Sequence, residues 1–234
     1  MSMKGLFLFS GVVPLLGLLG HPPDPVLLIY TVFVLACLGR PHLAVLAGKI
    51  PGPATLRVLV SFWLSGSLAE TLAWLNNYLR AASEPALFHP QLLADLLIGL
   101  GFYGGWAVAW LIACRRFRFT LAETFVITGL QGIFFEQLGA VFLAMIKVFP
   151  ANPLQAVLFG GYVFLVHGSA VGVAMAPVLR QMERPAASRS GARFAVVVVL
   201  MVGLAFLGCW LIGAASLLVG GLPPKRSIIG HPLW

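Results

Sequence analysis

The chain has 234 residues, 60% of them hydrophobic and only 9% charged, with a mean hydropathy of +0.98. A soluble domain of that composition would expose too much apolar surface to stay dispersed, so composition predicts an integral membrane protein whose first partner is the lipid bilayer. The formal charge of +8 does not point to nucleic acid, because the 15 Lys and Arg are scattered between apolar runs rather than gathered on one basic face with exposed aromatics.

With a window of about 19 residues, the chain reads as an all-α, polytopic transmembrane helix bundle of about seven hydrophobic segments, forming a single integral membrane domain over 1–234. The first two segments, 5–20 and 25–39, are short. Their helices would rise only about 23 Å, Pro14 lies inside the first, and His21-Pro22-Pro23-Asp24-Pro25 separates the pair. They are read as two thin spans or one re-entrant hairpin. Met-Ser-Met-Lys before an apolar run has the start of a signal peptide, but no small-x-small cleavage site follows Leu19, so the segment is expected to be retained.

The third segment, 56–80, places Trp63, Ser67, Glu70 and Asn77 on one polar stripe, with Gly66 and Trp74 at its margin. The fourth, 91–114, carries Asp95 one turn from its start, after Phe88-His89-Pro90, where it is expected to be an interfacial cap or a mouth residue. In the fifth, 120–147, Glu123 lies in the first turn beside Thr120 as a capping acid. Further along, a continuous helix brings Gly129, Gly132, Glu136 and Gly139 within about 80°. A ribbon of small residues lets another helix approach closely and turns the carboxyl inward. The sixth, 153–179, repeats Gly160, His167 and Ala174 at seven-residue intervals, and the seventh, 194–219, contains no Lys to hold retinal.

Basic residues orient the bundle. With the N-terminus cytoplasmic, 11 of the Lys and Arg fall on inside segments and 4 outside, as the positive-inside rule requires. The loops at 40–55, 115–119 and 181–193 are then inside and the tail from Gly221 to Trp234 outside, in a plasma or inner membrane. The polar stretch 181–193 is read as a flexible loop. Cys37, Cys114 and Cys209 lie in or near the spans and offer no extracellular disulfide.

Glu70, Glu136 and His167 all fall within a few ångströms of mid-depth by helical rise. Ionisable groups at that depth are costly unless they face partners or a wet cavity, so these three are the candidate catalytic or proton-handling residues. Two carboxyls and an imidazole suit proton-coupled transport or acid–base chemistry on a lipid-soluble small molecule. No HExxH or paired His and carboxylates at helical spacing supports a metal, and no motif identifies a cofactor. The contrasting reading is a non-catalytic integral subunit, pigment- or cofactor-associated, that contacts other membrane subunits through Gly-rich and aromatic helix faces.

Overall fold

In the computed structural model the described residues are 3–182 and 191–234, with side chains described from Ser10 onward; they are all-helical, with no strand among them. α1 (Met3–Leu16) ends in a 3₁₀ turn at Gly17–Leu19, and the chain returns as α2 (Leu28–Leu38). The two make a hairpin in which the Thr31 hydroxyl donates to the Gly11 carbonyl and the Ser10 and Tyr30 hydroxyls lie 3.2 Å apart. α3 (Arg40–Gly48) follows at 85° to α2, its first turn set by Pro41, so the stretch expected as a loop at 40–55 is half helical.

The next elements fall where hydropathy puts them. α4 (Ala54–Leu79), α5 (Leu92–Arg116), α6 (Leu121–Phe135) with α7 (Ala140–Val148), α8 (Pro153–Met175) and α10 (Arg193–Leu217) give five described stretches long and apolar enough to cross a membrane, or six if the bent α2–α3 pair counts as one. Between α8 and α10 lies the short α9 (Leu179–Met182). Residues 183–190 of the expected loop at 181–193 lie outside the described residues.

Local chemistry starts these helices. Thr120 and Glu123 form a reciprocal cap on α6: the Thr120 N–H donates to Glu123 Oε2 at 2.7 Å, and the Thr120 hydroxyl accepts from the Glu123 N–H at 3.2 Å. Glu123 also pairs with Arg193, fastening the start of α10 to the start of α6. Asn152 caps α8 by accepting from the Gln155 N–H at 3.0 Å, with Pro153 opening the helix.

Packing depends on glycine. Along the α5–α10 seam the backbones touch: a Cβ on Gly105 would sit 2.2 Å from the Leu204 carbonyl oxygen and one on Gly208 2.0 Å from that of Gly101. Such approach is how helices associate where lipid removes the hydrophobic drive. The core between α4, α5, α8 and α10 is filled by Phe62, Trp106, Trp110, Met175 and Met201, all buried.

The C-terminal tail is tied down. Leu92 and Leu93 donate backbone N–H bonds to the Pro232 and Leu233 carbonyls at 3.0 and 3.1 Å, and the buried Gln91 amide donates to the Arg226 and His231 carbonyls at 3.0 Å each. His89 sits under this strap as a neutral ring, its Nδ1 accepting from the Gln91 N–H at 3.2 Å and its Nε2 donating to the Pro223 carbonyl at 3.0 Å. Burial pushes its titration below the ordinary 6.5, with the nearby Lys225 charge acting in the same direction, while the Pro223 bond opposes them.

Candidate functional site

The site is built twice from the same local device, a glycine one helical turn before a glutamate. On α4 the pair is Gly66 and Glu70. A Cβ on Gly66 would lie 2.2 Å from Cγ of Tyr103, so the missing side chain is the seat of that ring from α5. Seated there, the Tyr103 hydroxyl donates to Glu70 Oε1 at 2.8 Å. Gly99 of α5 lets the Glu70 stem approach, with Cγ 3.6 Å from where its Cβ would be. Asp95, one turn before Gly99, is fully buried, accepts the His89 N–H at 2.9 Å through Oδ1, and is close enough to Glu70 for the two carboxyls to interact.

On α6 the pair is Gly132 and Glu136, and the ring comes from α8. A Cβ on Gly132 would lie 2.5 Å from Cγ of His167, while Gly129, a turn earlier, seats Phe164 in the same way. His167 Nε2 is 2.8 Å from Glu136 Oε2, and its Nδ1 is 3.1 Å from the Val163 carbonyl oxygen. A carbonyl can only accept, so Nδ1 carries a hydrogen and one further proton is held between Nε2 and Glu136.

Here the structure corrects the continuous helix expected for 120–147. α6 ends at Phe135, and Glu136 leaves the helix with φ −59° and ψ 134°. Gln137, Leu138 and Gly139 then take left-handed φ of 49°, 58° and 88° before α7 resumes. The left-handed conformation costs a non-glycine residue roughly 1–2 kcal/mol, so only Gly139 takes it without strain. The expected ribbon therefore ends at Glu136: Gly129 and Gly132 meet α8, and Gly139 serves the break.

The two carboxyl–ring couples face one cavity of about 980 Å³. The buried ring of Trp106 touches both rings, with its centroid 5.5 Å from that of Tyr103 and 6.4 Å from that of His167. Gln131 and the aromatic side chains Phe102, Phe134 and Phe135 line the cavity, and Val202, Phe206 and Cys209 of α10 close another wall. One rim lies at the exposed loop residues Glu84 and Ala86. The other reaches the side of the bundle, where Leu138 is 84% and Phe206 59% exposed. A space of this size falls at the upper end of small-molecule sites, roughly 300–1,000 Å³.

All three sequence-selected residues thus line the same cavity, with Glu136 and His167 in direct contact and Glu70 reaching them through Tyr103 and Trp106. The rest of the α4 stripe does not join. Trp63 donates to the Leu100 carbonyl and Asn77 to the Ala73 carbonyl within its own helix. Asp95, expected as an interfacial cap or a mouth residue, lies in the first turn of α5 and accepts the His89 N–H, but it is buried behind Glu70 rather than placed on the cavity wall. Sequence reasoning missed Tyr103 and Gln131. The repeated spacing of Gly66–Glu70 and Gly132–Glu136 was the available signal that a ring is seated beside each acid. No protein-family model, curated protein or solved structure matches this chain.

Proposed function

We propose that this integral membrane protein is a proton-linked carrier of a lipid-soluble small molecule, with Glu136 and His167 holding the transferable proton and Glu70 facing the ligand. The observation that supports it is the placement of the Glu136–His167 pair at a break in a span, on the wall of a cavity that also holds Glu70. Ionisable groups inside a membrane protein mark ion and substrate paths, and discontinuous spans recur where carriers hold their cargo. In this reading the N-terminus is cytoplasmic, the tail is outside, and the protein sits in a plasma or inner membrane.

The chemistry follows from the pair. A ligand that approaches Glu136 competes with His167 for the carboxyl, so its arrival changes where the shared proton resides. The strained turn at Gln137 and Leu138 gives the α6–α7 junction a second arrangement to relax into, which couples proton position to helix geometry. Apolar walls and a rim on the side of the bundle suit a ligand that enters from lipid.

The test uses proteoliposomes loaded with a pH-sensitive dye and challenged with neutral, anionic and cationic amphipathic compounds. At least one class should change the lumen pH beyond protein-free vesicles, and Glu136→Gln should remove that change while expression stays near normal. The reading fails if no compound gives a protein-dependent change. A silent Glu136→Gln together with a disassembled Glu136→Leu would instead make Glu136 a helix fastener in a larger complex.

A further inference from the structure

The cavity's two ring donors are already committed, Tyr103 to Glu70 and His167 to Glu136 and the Val163 carbonyl. Gln131 Oε1 is buried at the cavity wall with no partner. A buried polar atom without a partner is costly, and on a binding cavity a ligand's donor can satisfy such an acceptor.

Charge points the same way. Glu70, Glu84 and Glu136 line the cavity, whereas no described Lys or Arg does, and the one imidazole already serves Glu136. An anionic ligand would meet three carboxyls and no counter-charge. Phe102, Phe134 and Phe206 present aromatic surface, which attracts cations as well as alkyl chains.

We infer that the ligand is an amphipathic organic cation with N–H donors, a protonated alkylamine, whose ammonium group sits between Glu70 and Gln131 with its chain along the phenylalanines. This rests on the reading of the cavity as a binding site and adds the substrate class. The ammonium supplies a donor to Gln131 Oε1 and charge to Glu70, on a wall where the described residues place no Lys or Arg.

The experiment titrates the full chain in phosphatidylcholine nanodiscs with four probes sharing one fluorophore and one octyl chain, ending in ammonium, trimethylammonium, alcohol or carboxylate, after subtraction of empty nanodiscs. The ammonium probe should bind about tenfold or more tighter than the alcohol, with trimethylammonium between them and carboxylate weakest. Glu70→Gln should bring ammonium and alcohol to within about threefold by weakening the ammonium probe alone. Because Glu70 is packed against Tyr103, a second variant at the exposed rim, Glu84→Gln, checks the charge effect where folding is not at stake, and it should weaken the ammonium probe about twofold. An alcohol or carboxylate that binds as tightly as the ammonium overturns the cation assignment and leaves the cavity as a binding site. Saturable binding of none of the probes overturns both.

Discussion

The two glycine-seated couples share a design and differ in their support. Around Glu70, α4 is unbroken, the ring donor is a phenol, and a buried second acid stands behind, anchored by a backbone bond from His89. Around Glu136 the helix stops, the partner is an imidazole, and the carboxylate side chain remains 36% exposed. The same Gly-x-x-x-Glu spacing thus places one acid on an unbroken helix and the other at a helix break, where it shares a proton with an imidazole. A couple held by continuous helix suits ligand recognition, whereas one at a strained break suits conformational coupling.

The largest expected effect comes from filling the seats. Gly66→Val and Gly132→Val each force a branched side chain into an aromatic ring, and overpacking of that kind costs about 1–3 kcal/mol or more. Gly213→Val is the control, since nothing lies within 4 Å of a Cβ there. Thermal unfolding of the three variants in one detergent would show whether both seats are occupied; equal midpoints for Gly132→Val and Gly213→Val would remove the second couple.

Next in size are the partners themselves. Tyr103→Phe leaves Glu70 without its donor and should cost about 1–3 kcal/mol. Glu136→Gln still offers His167 a partner and should stay within about 0.5 kcal/mol of the parent. Denaturant titration of this pair sharpens the contrast between the acid on the unbroken helix and the acid at the break, and similar losses for both would abolish it. Gly139→Ala, at φ 88°, should cost about 1 kcal/mol, because alanine takes the left-handed conformation only with strain.

The smallest effect is at the strap over the Glu70 couple. Folded His89 titrates below 6.5, so under acid conditions the unfolded chain binds more protons than the folded one. The stabilisation is complete above about 6.5 and is lost as pH falls through the interval down to the folded value. A proton on Nδ1 also removes the acceptor for the Gln91 N–H. Hydrogen exchange at the amides of Leu92 and Leu93, corrected for intrinsic rates, should therefore quicken between pH 7.5 and 5.5. Unchanged protection would mean that His89 does not hold the strap.

Hydropathy made the long spans legible because about 20 apolar residues are needed to cross, and the starts of α6 and α8 carry their caps in sequence. The break at Glu136–Gly139 was not legible, since no proline marks it and Gln137 and Leu138 have no preference for left-handed backbone. Asp95 was readable as a first-turn acid but not as a buried one, because the tail that folds back over the start of α5 is distant in sequence. Glu70, Glu136 and His167 were identifiable because ionisable groups stand out in apolar helices. Tyr103 and Gln131 were not, because a tyrosine or glutamine in a span is ordinary until its neighbours are known, and helix adjacency is not written in a single chain.

The division of labour between the couples is tested most directly by measuring ammonium-probe affinity and probe-driven lumen pH change on the same preparations of Glu70→Gln and Glu136→Gln. The expected result is a split: Glu70→Gln loses affinity for the probe, while Glu136→Gln binds it nearly as the parent does and moves no protons. Equal loss of both properties in both variants, or proton movement that survives Glu136→Gln, would contradict the assignment of a recognition half and a proton-carrying half.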